Sequence, residues 1–145
     1  MQHMQHMQQG NNNHYVIMFF IMVISGLLST MNVWVDKVED IRFSINDAYM
    51  TLLMTGWMFL FMGIFYQQRG VFLIGVIFVL VNLWCIRNQF LVTETQYKLG
   101  MIPHHSMAVH MSKKLLEKEN IRNISIPFVE NIIQTQEKEI IILKQ

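Results

Sequence analysis

Between Met101 and Met111 the chain places three His and three Met in eleven residues: Met101, His104, His105, Met107, His110 and Met111. Thioether sulfur and imidazole nitrogen together favour Cu(I), whereas Mg and Ca select carboxylate and carbonyl oxygen. Residues three and four apart share a helix face, so Met101, His104, Met107 and Met111 can converge on one small ion, flanked by His105 and His110. The same spacing has a plainer reading. Met101, His104 or His105, Ala108, Met111 and Leu115 then form a buried stripe that the His residues merely cap. No Cys, Asp or Glu stands at zinc-site spacing, and there is no Ser/His/acid order or phosphate-cradling Gly loop. Binding is indicated rather than enzymatic catalysis, and no organic substrate is identified.

Two further sets of soft donors stand elsewhere. Residues 1–7 repeat Met and His with period three, and His3, Met4 and His6 are weaker candidate ligands. A free terminal amine, two backbone amides and His3 can wrap a square-planar Cu(II), while Met4 and Met7 suit Cu(I). The plain alternative is an unstructured polar tail. Met50, Met54, Met58 and Met62 recur every fourth residue on one slowly drifting helix face. Adaptable packing or a lipid-facing stripe accounts for them, with a thioether ladder for Cu(I) as the sharper reading.

The elements that must position these donors follow from where charge is missing. Of 145 residues, 52% are hydrophobic and 14% charged, and the net charge is +1. That balance is hard to hide in one soluble core, and it offers no basic stripe to a nucleic acid. Residues 15–35, 48–68 and 70–86 carry no Asp, Glu, Lys or Arg. Each covers or nearly covers a hydrocarbon layer of roughly 30 Å at 1.5 Å per residue. Three transmembrane helices are predicted, at about 15–35, 48–68 and 70–88, with the lipid bilayer as partner. The first lacks a preceding cation and a small-x-small site, so it is expected to stay attached. Tyr15, Trp34, Tyr49, Tyr66 and Trp84 fall near the ends, where amphipathic rings prefer the headgroup level. The fold class is an all-α membrane protein, with a polar tail over 1–14, a membrane domain over 15–92 and a helical hairpin over 93–145.

Gln68, Arg69 and Gly70 are expected to turn the second helix into the third, and Asp36 to Asp47 to form a polar loop. Lys37, Arg42, Arg87 and Lys98 then lie on one side and Arg69 on the other. The positive-inside rule puts the carboxyl-terminal part in the cytoplasm of a cell whose inner membrane holds the protein. Pro103 fixes where helical geometry can begin in the first tail helix. A break at Asn120 to Ser125 precedes the second, which opens at Ser125 and Pro127 and repeats Phe128, Val129, Ile132, Ile133, Gln136, Ile140 and Leu143. Two such helices bury little alone, so this apolar face is expected to pack on the membrane part or, more simply, on a second copy. A homo-oligomer forming a four-helix bundle is the expectation.

The run from Tyr97 to His105, which contains Met101-Ile102-Pro103-His104-His105, is followed by Ala108, Met111, Ile133, Gln136, Glu139 and Ile140. It resembles the domain-of-unknown-function 305 family, a ferritin-like set of helical proteins with a Met-Ile-Pro-His-His signature, some implicated in copper binding or tolerance. The resemblance implies a ferritin-like hairpin and metal binding through Met101, His104, His105 and Met111, with Gln136 and Glu139 in support. Two readings stay open. One is a membrane protein that binds, sequesters or confers tolerance to copper. The other is a non-catalytic structural or oligomerisation module without a metal role.

Overall fold

The structure is a computed structural model describing residues 2–118 and 123–145, with side chains from 13 onward. The Met/His repeat with His3, Met4 and His6 lies outside the described side chains, and Asn120 of the expected break lies outside the described residues. Among the described residues every regular element is helical: α1 (Gln2–Leu28), α2 (Ile45–Phe65), α3 (Arg69–Asn88), α4 (Glu94–Leu116) and α5 (Ile126–Leu143). Short 3₁₀ turns at Met31–Trp34 and Val38–Asp40 lie between α1 and α2. Three apolar segments, Asn13–Trp34, Ile45–Phe65 and Arg69–Asn88, are long and apolar enough to cross a membrane.

The chain forms two compact units, one of residues 1–28 and 48–90, the other of residues 29–47 and 91–145. In the first, Phe19 of α1, Phe59 of α2 and Phe78 of α3 meet pairwise with ring centroids 6.1 to 6.4 Å apart. Aromatic pairs at this separation add to the burial of their area. Gly56 and Gly63 of α2 and Gly75 of α3 let the two backbones touch: a Cβ at Gly75 would lie 2.3 Å from Leu60 N. Thr55 and Asn82, buried here, return their donors to Thr51 O and Phe78 O of their own helices, so no polar group is left facing hydrocarbon on their account. Met50 and Met54 are exposed, Met58 and Met62 half-buried. The Met stripe is thus no continuous buried line.

Boundaries shift where a charge or a cap does what hydropathy does not record. α2 starts at Ile45, because Asp47 Oδ2 accepts hydrogen bonds from Ser44 N (2.8 Å) and Ser44 Oγ (2.9 Å), a capping box with an acid in the third position. Its end is set by Gln67 at φ 54°, with Gln68 N donating to Gly63 O. The turn is therefore Tyr66 to Gln68, and Arg69 and Gly70 already belong to α3. α1 ends at Leu28, and Met31–Trp34 joins the second unit, where it packs on α4. Most consequential is α4, which begins at Glu94 behind the N-cap Thr93 and runs through Pro103 instead of starting there. The lost N–H costs about 3 kcal/mol in a helix interior, offset by burying the ring almost completely.

Candidate functional site

The second unit is built on α4. Its buried residues are Ile102, Pro103, His105, Ser106 and Val109. Met101, Met107, Ala108 and Leu115 are half-exposed, and His104 and Met111 exposed. This corrects the expected stripe in all but its His105 alternative: the face that meets the rest of the unit is 102/105/106/109/113, rotated by a third of a turn or more from 101/104/108/111/115 at about 100° per residue. The reason is chemical. Ser106 and Lys113, which a search for apolar periodicity passes over, have polar partners waiting in the loop between α1 and α2.

Asp36 N donates to Ser106 Oγ (2.9 Å), and that hydroxyl donates to Asp40 Oδ2 (2.6 Å). Asp40, 2% exposed, also accepts from Lys144 Nζ at the end of α5. Lys113 Nζ bridges Asp36 (2.8 Å) and Glu137 of α5 (3.0 Å). Asn32 holds the loop closed, donating from Nδ2 to Arg42 O (2.7 Å) and accepting from Arg42 N (3.0 Å). Gln96 of α4 accepts from Ile45 N (2.8 Å), one of the free donors at the start of α2. Burial works to raise the Asp40 carboxyl, but hydrogen bonds from Lys144 and Ser106 and the charges of Lys144 and Lys37 outweigh it and hold the group below its ordinary 3.8. The Lys113 ammonium is held above its usual range, first by the hydrogen bond to Asp36 and then by that to Glu137.

The predicted ligands divide between two faces. His105 points to α5, where Nδ1 lies within hydrogen-bond reach of Gln136 Oε1 and 3.0 Å from Glu139 Oε2. Of the six residues that the family resemblance groups, His105, Gln136 and Glu139 meet, whereas Met101, His104 and Met111 lie on the more accessible side of α4. His104, Met107 and Met111 share the opposite, accessible face by their spacing of three and four, with the His104 ring edge-on to His105 at 5.8 Å. Met101 sits at its margin. His110 turns toward the loop, its Nδ1 4.0 Å from Asp36 Oδ1. Among the described residues no three His, Cys, Asp or Glu side chains gather closely enough to hold a metal. The accessible face of α4 offers one imidazole and thioethers, donors that suit Cu(I) better than Mg.

The α5 face named for self-association is largely covered inside the chain. Val129 and Ile140 are buried, Ile132, Ile133 and Leu143 half-buried, and Phe128 exposed. With Ile102 and Val109 of α4, Val129 and Ile140 form the apolar centre of the unit, at roughly 1.5 to 3 kcal/mol per large side chain fully buried.

These features define a small all-helical chain with three apolar helices of membrane-crossing length and a hairpin unit clamped by a loop. Residues 89–145 match the Domain of unknown function (DUF305). Over 135 residues the chain is 37% identical to "Uncharacterized protein L153" of Acanthamoeba polyphaga mimivirus, covering 90% of this chain and 88% of that protein. The chain belongs to the same family as this viral protein and carries the 305 domain at its carboxyl-terminal end. No solved structure matches it. The clamp residues Asp36 and Asp40 lie outside the matched domain yet inside its folding unit. Their one sequence signal is the spacing of four between two acids ahead of an apolar helix.

Proposed function

We propose that this protein is an integral membrane protein that binds Cu(I) on the accessible face of α4, through His104, Met107 and Met111 with Met101 at the margin, and that it is not an enzyme. The observation that carries this reading is that His104, Met107 and Met111 stay off the buried side of the helix, where an ion can reach them. His105 has a separate role as the joint to Gln136 and Glu139. Competition titration of the full chain in detergent should give tighter Cu(I) than Zn binding, since neither thiolate nor carboxylate lies among these donors. The triple substitution His104→Ala, Met107→Ala, Met111→Ala should weaken Cu(I) by tenfold or more without lowering helicity. Stronger Zn than Cu(I) binding, or a triple variant of unchanged affinity, sinks the assignment. The structural-module reading is favoured by one observation, the burial of His105 in a hydrogen-bonded joint. A purified chain free of copper after growth with copper would favour it. Self-association remains part of the proposal, carried by Ile126, Phe128, Ile141 and Ile142, which are exposed on α5.

For orientation, the loop after α1 and the segment after α3 build one unit, as they can when three spans bring both to the same side. The cations Lys37, Arg42, Arg87 and Lys98 of that side support a cytoplasmic orientation, with the protein proposed to lie in the inner membrane of a cell. In a Cys85→Ser background, Glu39→Cys should resist a membrane-impermeant maleimide on intact cells and Asn13→Cys should react. The reverse pattern overturns the orientation.

A further inference from the structure

A cleft of about 430 Å³ opens in the second unit between Met31–Trp34 and the last turns of α4, lined by Trp34, His110, Met111, Lys114, Leu115 and Lys118 together with Ser112. That volume lies in the range of small-molecule sites. Its lining combines indole, thioether and isobutyl groups with two ammonium groups, an imidazole and a hydroxyl, and holds no carboxylate. Two acids of the unit bear on these cations, and neither lines the cleft. Asp36 is bridged by Lys113, and Glu117 holds Lys114 at 2.9 Å in an exposed pair, the kind that solvent screens and that exchanges readily for a better anion. Trp34 is also the last residue of the first apolar segment, Asn13–Trp34, so the chain joins this wall of the cleft directly to a stretch of membrane-crossing length.

We infer that the cleft binds the phosphate-bearing headgroup of an anionic phospholipid. Lys114 and Lys118 receive the phosphate, His110 hydrogen-bonds to its oxygens or to the headgroup alcohol, and Trp34 and Leu115 cover the start of an acyl chain. Indole rings favour the headgroup level, and lysines near a membrane surface attract anionic lipid. The inference rests on the proposed membrane location, and its test separates the two.

The full chain is expressed in membranes and extracted with alkaline carbonate, then purified in a mild detergent and titrated with phosphatidylglycerol or phosphatidylcholine while native mass spectrometry counts bound lipid. Retention after carbonate and a preference for phosphatidylglycerol on the order of tenfold or more are expected, given about fivefold per lysine near an anionic surface. Lys114→Gln with Lys118→Gln should bring the preference to about twofold or less, and Lys98→Gln with Lys138→Gln, away from the cleft, should leave it unchanged. Melting curves of both double variants confirm that they fold. A chain retained in the membrane without that preference, or with a preference indifferent to Lys114 and Lys118, overturns the lipid site and leaves the membrane reading standing. Release by carbonate overturns both. Displacement of phosphatidylglycerol by millimolar glycerol phosphate would assign the cleft to a soluble phosphate and overturn the lipid as its occupant.

Discussion

Replacing Asp40 with Ala is expected to destabilise the second unit by about 3 to 5 kcal/mol, the range for removing one partner of a buried ion pair. The carboxylate is 2% exposed and is the shared acceptor for Ser106 and Lys144. Its removal leaves the Ser106 hydroxyl, fully buried, with no anion to donate to, and an unsatisfied buried donor alone costs about 1 to 3 kcal/mol. Lys144 keeps a third of its side chain exposed and can turn to water, which places the total toward the lower end. Thermal unfolding of the purified chain followed by tryptophan emission, with limited proteolysis of residues 91–145, measures the loss. Glu117→Ala, which removes only an exposed pair with Lys114, should change stability by less than about 1 kcal/mol. An Asp40→Ala protein that melts with the wild type would show that the clamp carries no weight.

The same carboxylate sets an acid limit. Its folded pKa lies below the ordinary 3.8, so the folded unit binds this proton less readily than the unfolded chain does. Its contribution is therefore present above about pH 3.8 and is lost as pH falls through the lower folded value. Lys113 works with the opposite sign: its raised pKa gives a contribution that is whole below 10.5 and lost as pH rises through the folded value. These two groups should thus lower the stability of the second unit at both extremes of pH, with Asp40→Asn flattening the acid limb alone.

Why the spans were legible and the clamp was not comes down to what each signal records. Charge is costly in hydrocarbon whatever the neighbours, so the uncharged runs locate α2, α3 and the apolar segment Asn13–Trp34 to within three residues without knowledge of packing, although α1 itself runs from Gln2 to Leu28. Asp47 misled only because an acid at a helix start reads as the end of an apolar run when it is a cap. On α4 the buried face holds Ser106, His105 and Lys113, whose burial depends on Asp36, Asp40, Gln136 and Glu137 being present. Apolar periodicity therefore favours the Met101/Ala108/Met111 side, which is the more accessible one. His105, Gln136 and Glu139 were grouped only through the family resemblance, since no local pattern joins residues more than thirty apart.

The contact of α2 with α3 should be the most sensitive place in the first unit. A Cβ at Gly75 would stand 2.3 Å from Leu60 N and 2.7 Å from Leu60 Cα, and one at Gly63 2.4 Å from Phe72 N. Both obstacles are backbone, so the helices themselves must part, and Gly75→Ala should cost at least the roughly 3 kcal/mol that marks the top of the usual overpacking range. Truncation by Leu60→Ala cannot relieve a clash with the main chain and should not rescue it. Gly26 differs in kind. Its added Cβ would meet side-chain atoms, Thr51 Cγ2 at 2.6 Å and Met54 Cε at 3.0 Å, so Gly26→Ala should be milder and partly rescued by Thr51→Ser, which deletes that methyl. Gly70, in the first turn of α3 with nothing within 4 Å, should accept Ala with a gain of about 0.4 to 1 kcal/mol from the stiffer unfolded chain. Unfolding of the four proteins in mixed detergent and dodecyl sulfate ranks them directly. The order expected from most to least stable is Gly70→Ala, wild type, Gly26→Ala, Gly75→Ala, and a Gly75→Ala protein as stable as the wild type, or one rescued by Leu60→Ala, would mean that α2 and α3 do not meet backbone to backbone.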